Sequence, residues 1–196
     1  MENRKVYVSD DSYLLYRLAE DDKEDYISLL KEANTSTNLY DSEENCNIMW
    51  KIAIETGWEF SIFHKNGDYC GNIMLKYPKS EHPEIGIDIV GRYRNHGIGP
   101  RAIRMFARKT YEERPVEYYV LRVSSKNLYS KHVIEKLGAV PDDSEDLFLK
   151  RVVSVFKDVL GEEAYQKARE EAEKLLTDDE EEIYQYRYLP ESFLKN

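Results

Sequence analysis

The stretch EIGIDIVGRYRNHGIGPRA, Glu84–Ala102, decides how the chain is read. Ile85, Ile87 and Ile89 alternate with Glu84, Gly86 and Asp88, a period of two that predicts a strand with two distinct faces. Arg94-Asn95-His96-Gly97-Ile98-Gly99 breaks the alternation. From Gly97 to about Glu113, Ile98, Ala102, Phe106 and Ala107 form the apolar side of a helix, and Pro115 marks its end. A strand, a glycine-containing turn and a helix start, in that order, can aim several backbone N–H groups at one point. Those groups and the positive end of the helix dipole bind phosphate, and glycine lets the backbone come close to it. Pro100 removes one N–H, but proline is tolerated in a first helical turn. Neither GxGxxG nor GxxxxGK with a following Ser or Thr is present, so a dinucleotide fingerprint and a P-loop are unsupported. An ordinary strand-to-helix turn is the plain alternative.

Working outward, Tyr13 to Leu18 reads as a first strand. Asp21 starts a helix with Glu24 three residues on, as in a capping box. Tyr26, Leu29, Leu30 and Ala33 share one face of it. A polar loop over Asn34–Asp41 leads to a second helix with Cys46, Met49, Trp50 and Ala53 on one face and Gly57 as its stop. Trp58, Phe60 and Ile62 alternate toward Asn66-Gly67, a hairpin turn, and Tyr69–Leu75 returns. After the quoted stretch, Glu117–Val123 reads as a buried strand and Asn127–Leu137 as a short helix capped by Gly138. Beyond it, Leu149, Val152, Val153, Phe156, Val159 and Leu160 recur at helical spacing, and Ala164, Ala168, Ala172 and Leu175 continue a second helix past Gly161. Tyr184, Tyr186 and Tyr188 alternate as a final strand. The expected fold is α/β: a mixed, predominantly antiparallel sheet flanked by helices. It forms a single domain over residues 1–196, with a helical insertion at 141–182 before the last strand.

The chain has 196 residues and a net charge of −10, which argues against nucleic acid as the main partner. No apolar run approaches the ~20 residues of a membrane helix. Met1 to Asp11 offers no apolar signal stretch, so no membrane partner and a cytoplasmic location are expected. Cys46 and Cys70 lack metal-ligand spacing and read as buried thiols; no metal is expected. From Gly91 to Lys109 there are six basic residues and no acidic one, consistent with a local anion site or with a solvated helix face. The insertion carries 15 acidic and 6 basic residues, a net of −9 that could guide a cationic acceptor or simply solvate a covering helical pair.

Arg94-x-x-Gly97-x-Gly99 matches the acetyl-CoA signature of the GNAT family, the GCN5-related N-acetyltransferases. Asn127-x-x-Ser130 followed by Lys136-Leu137-Gly138 is similar to that family's second motif. The resemblance spans about Tyr13–Ala139, and the subgroup acting on ribosomal-protein N-termini looks nearest. It implies the acyl-CoA N-acyltransferase fold, acetyl-CoA as donor and a primary amine as acceptor, with a homodimer left open. By the same resemblance, Arg94, Asn95, His96, Gly97, Ile98 and Gly99 hold the pyrophosphate. Main-chain groups of Ile89 and Val90 pair with the pantetheine arm, Asn127 touches the cofactor near its far end, and the basic segment complements the phosphates. The acceptor is placed near Asn34–Asp41, the helix around Trp50 and the insertion. Many members carry a tyrosine acid seven residues after the motif Asn, and here that position is Ile134. Tyr129 and Ser130 lie nearby, and Ser130 is carried as a catalytic candidate. Ala139 replaces the usual aromatic.

Acetyl transfer needs a neutral amine. Neutralising a lysine-type amine with a pKa near ~10.4 costs about 4–5 kcal/mol at neutral pH, against about 1 kcal/mol for an α-amine near ~8. Glu84 is the candidate base, at the place of the catalytic Glu of histone-acetylating members, and Asp88 is the second choice on the same face. Direct attack in a ternary complex requires no covalent nucleophile, and no Cys-His or Ser-His-Asp set is present. The missing tyrosine keeps a non-catalytic acetyl-CoA-binding or sensory module as the alternative.

Overall fold

A computed structural model describes residues 4–34, 39–143, 161, 162, 166 and 182–195. The expected helices of the insertion, from Leu149 to Leu175, lie outside the described residues. The strands are β1 (Val6–Ser9), β2 (Tyr13–Arg17), β3 (Glu59–His64), β4 (Tyr69–Lys76), β5 (Glu84–Ile89), β6 (Tyr119–Ser124), β7 (Val140–Pro141) and β8 (Ile183–Tyr188). The helices are α1 (Lys23–Ala33), α2 (Glu43–Thr56), α3 (Ile98–Glu113), α4 (Leu128–Lys136) and α5 (Pro190–Leu194). One sheet runs in the order β1-β2-β3-β4-β5-β6-β8-β7, and every pair is antiparallel except β5 with β6.

The sheet has two different faces. Phe60, Ile62, Ile73, Leu75 and Ile85 pack with Ile98, Ala102, Phe106 and Phe193 of α3 and α5 in the main core. The opposite face lies under α1 and α2 and is mixed: Tyr16, Phe63 and Tyr69 pack with Leu29 of α1, and Glu59, Ser61, Asn72 and Glu84 are buried on the same face. Asp22 fastens the start of α1 onto that face. It is 2% exposed and accepts from Ser61 Oγ at 2.6 Å, from Arg4 at 2.6 and 2.7 Å, and from the N–H of Ala19 at 3.1 Å. The expected Asp21–Glu24 capping box is therefore replaced by a 3-10 turn over Glu20–Asp22 that serves this anchor.

Three short elements are additional to the sequence reading. β1 is held by Tyr7, whose ring lies 4.4 Å from Phe60 and 6.2 Å from Phe106. β7 adds Val140 and Pro141 to the edge of β8. α5 inserts Phe193, fully buried, among Tyr111, Tyr119 and Tyr188. The predicted stop of α2 holds, since Gly57 ends it with φ 64, and Ser42, which the sequence reading did not single out, caps its start.

Candidate active site

The parallel pair creates the site. β5 and β6 are bridged at one register position, Glu84 with Val120, and the N–H of Val120 donates to Pro83 O at 2.9 Å. Beyond that bridge no further pairing joins the two strands among the described residues. Val90 donates its N–H to Cys70 O of β4. Alternation along the ladder then turns the N–H and C=O groups of Ile87 and Ile89 to the β6 edge. An extended chain laid in this gap could pair with them as an added strand would, which is how backbone groups near an interior are satisfied. The cleft here has a volume of about 880 Å3, and Ile87, Ile89, Leu121, Val123, Val133 and Ile134 supply its apolar walls.

The turn closes one end. Asn95 and Gly97 both have positive φ, 65 and 75, within three residues. Such left-handed positions curl successive N–H groups toward one point and make an anion-receiving concavity. A Cβ at Gly97 or Gly99 would meet nothing within 4 Å, so protein packing does not demand glycine at 99, and its bareness keeps the cleft open. Gly71 is the contrast, because a Cβ there would lie 2.1 Å from Asp88 O.

Arg94, Asn95, Gly97, Ile98, Gly99, Ile89, Asn127, Glu84 and Ser130 all line this cleft. Val90 and His96 do not. Val90 uses its N–H on Cys70 and its C=O on Tyr93, and packs against the cluster of Tyr16, Leu29, Phe63 and Tyr69. Both main-chain groups of Val90 are thus engaged within the protein, while the edge turned toward β6 is that of Ile87 and Ile89, where the Ile89 carbonyl also accepts from Arg94 Nε. His96 is exposed, with Nδ1 2.8 Å from Arg94 O. Asn127 accepts the N–H of Ser130 at 3.0 Å and so caps α4.

Of the six basic residues between Gly91 and Lys109, Arg94 alone lines the cleft. Arg101 pairs with Asp10 and Asp11, Arg108 donates to the carbonyls of Phe193 and Lys195, and Lys109 pairs with Glu112 and Glu113. Arg101 and Arg108 thereby tie α3 to both ends of the chain. Arg94 itself is held by Glu32 of α1 at 3.1 Å and donates Nε–H to Ile89 O at 2.9 Å, while Glu32 also accepts the N–H of Gly91 at 2.7 Å. Trp50 is likewise away from the cleft, buried against Tyr26 at 5.4 Å.

The two carboxylates of β5 differ in environment. Glu84 is 2% exposed and sits between Lys76 Nζ, 2.8 Å from Oε1, and Arg122 Nε, 3.0 Å from Oε2. Asp88 is half-buried and lines the cleft, and burial pushes its carboxyl above the ordinary range against the pull of Lys76 and Arg94. Behind it, Asn72 accepts from Tyr69 Oη at 3.0 Å and donates to Glu59 Oε1 at 3.0 Å. Burial pushes the Glu59 carboxyl up to about 7. The sequence placed Glu59 in a strand but carried no sign of a buried ionisable group there.

A mixed sheet that parts between two parallel strands, beside an anion-receiving helix start, is the architecture of acyl-CoA N-acyltransferases. A family model described as an acetyltransferase (GNAT) domain matches residues 10–140, and the chain belongs to that family, whose members use acetyl-CoA as acetyl donor. Solved structures share the fold. A spermidine N-acetyltransferase from Vibrio cholerae, in complex with CoA and spermine, is 15% identical with a TM-score of 0.65, covering 94% of this chain and 99% of its own. A GNAT-family acetyltransferase from Bacillus anthracis is 16% identical with a TM-score of 0.64, covering 94% and 98%. The ribosomal α-N-protein acetyltransferase RimL, in complex with coenzyme A, is 13% identical with a TM-score of 0.64, covering 94% and 98%. No curated protein sequence matches the chain.

Proposed function

We propose that this chain transfers the acetyl group of acetyl-CoA to a primary amine, by direct attack in a ternary complex. The observation that carries the reading is the β5 edge at Ile87 and Ile89, which pairs with no strand among the described residues and leads to the positive-φ turn at Asn95 and Gly97. An extended arm ending in a pyrophosphate needs those two features in that order. Acetyl-CoA would supply the activated acyl group. Ile87 and Ile89 would hold its arm, and the N–H groups of the turn its phosphates, with Arg94 beside them. The acceptors that the structural neighbours' names give, spermidine and a protein N-terminus, both offer primary amines. The acetyl-CoA-binding module without turnover stays as a second reading because Ile134, 6% exposed, cannot donate a proton to the leaving thiolate. No described helix is long and apolar enough to cross a membrane, and the cytoplasm is the proposed location.

Thiol release from acetyl-CoA in the presence of an amine panel tests the reading. Release that depends on the amine is expected. CoA binding with no release on any amine would favour the second reading, and no CoA binding at millimolar concentration would sink both.

A further inference from the structure

Among the described residues three carboxylates line the cleft, and two of them are occupied. Glu84 lies between Lys76 and Arg122. Glu32 holds Arg94 and the N–H of Gly91. Asp88 lines the same cleft with no hydrogen bond or ion pair among the described residues. We propose that Asp88, rather than Glu84, receives the acceptor amine and takes its proton, and that the acceptor carries a single positive charge, as a peptide α-amine does. The inference rests on the acetyl-transfer reading above.

A base needs a lone pair that is not already accepting. Asp88 has one, while Glu84 faces a cation on each oxygen. The charge count limits the acceptor. Lys76, Arg94 and Arg122 also line the cleft and balance Glu32, Glu84 and Asp88. One ammonium can pair with Asp88. Among the described residues of the cleft, the second and third charges of a polyamine would meet cations and no carboxylate beyond those three. Desolvation also raises the affinity of Asp88 for a proton, which brings it nearer to the acceptor it must match. Its surroundings are fixed: Asn72, its cross-strand neighbour, is 3% exposed and is held at both ends of its amide by Tyr69 and Glu59.

The step balances as follows. The ammonium gives one proton to Asp88, and the freed nitrogen lone pair forms the C–N bond as the C–S bond breaks. Sulfur leaves with the electron pair and takes a second amine proton; the third stays on the amide. Asp88 then returns its proton to solvent.

Wild type, Asp88→Asn and Asp88→Glu are compared for CoA affinity, for calorimetric binding of a tripeptide with a free α-amine to the CoA-loaded protein, and for kcat and KM with that tripeptide and with spermidine. Asp88→Asn should keep the melting temperature and CoA affinity, lose tripeptide binding and lose about a hundredfold or more in kcat/KM. Asp88→Glu should recover part of the rate and move the acid limb of the pH profile. That limb also feels Glu59 of β3, Lys76 of β4, Tyr26 of α1, Tyr40 and Arg94, so it is read as a difference between variants. Turnover by Asp88→Asn at the wild-type rate, tripeptide binding equal in wild type and Asp88→Asn, or spermidine with the higher kcat/KM would overturn the proposal. Wild type that binds no CoA would instead overturn the acetyl-transfer reading.

Discussion

Glu59→Gln removes a buried ionisable group while keeping an oxygen that can accept from Asn72. Glu59 is 7% exposed, and burial pushes its carboxyl from 4.5 up to about 7. Between those values the folded chain holds a proton that the unfolded chain has released, so stability falls as pH rises. The contribution is complete below the unfolded pKa and is lost as pH rises through about 7. At about 1.4 kcal/mol per pH unit, the loss is about 3 kcal/mol. The uncharged Gln variant escapes it. From about pH 5 to about pH 8 the wild type should lose about 2–3 kcal/mol more than Glu59→Gln, or about 5–10 °C in melting temperature for a chain of this size. Thermal melts and urea midpoints followed by circular dichroism across that range give the difference. Parallel pH profiles for the two proteins would refute the reasoning, as would a variant less stable than wild type at the alkaline end. Either result would mean that Glu59 is charged and well paired in the fold.

Gly99→Val should weaken CoA binding by about tenfold or more with little change in melting temperature, since its side chain meets no protein atom and can obstruct only a ligand; calorimetry against circular dichroism separates the two. Glu32→Ala frees Arg94 and removes a negative charge beside the turn, so acetyl-CoA should bind about twofold to fivefold tighter at low salt, an effect that salt screens. Ser130→Ala should leave kcat and the KM for acetyl-CoA little changed, since the leaving sulfur takes its proton from the amine; a fall in kcat alone would assign that proton to the hydroxyl. Phe193→Ala should cost about 3–5 kcal/mol in urea unfolding, because it empties a fully buried site among three tyrosines.

The sequence was most legible where period and punctuation agreed. The alternation of Ile85, Ile87 and Ile89, the Asn66-Gly67 hairpin and the Gly57 stop each have a local cause, and each element stands where that cause places it. β1 was missed because Val6–Ser9 is too short to show a period, and its hold on the fold is Tyr7 against Phe60 and Phe106, far along the chain. β7 was missed because it contains proline and pairs only at an edge. Within the site, the turn was readable from its glycines. The state of Glu84 was not, because it depends on strand register: Lys76 stands opposite it across β4, and Arg122 arrives from β6. The six basic residues show the same limit. Their spacing gives one charged segment, and only the positions of Asp10, Asp11, Phe193 and Lys195 reveal that Arg101 and Arg108 are structural.

The most direct measurement follows both products of one reaction. Purified protein is incubated with acetyl-CoA and a peptide bearing a free α-amine; released thiol is counted by colour and acetylated peptide by mass spectrometry. The account predicts equal amounts of the two with wild type, and about tenfold less of both with Gly99→Val at acetyl-CoA concentrations below KM. Thiol release without acetylated peptide, or equal turnover by Gly99→Val, would contradict acetyl transfer in the cleft between β5 and β6.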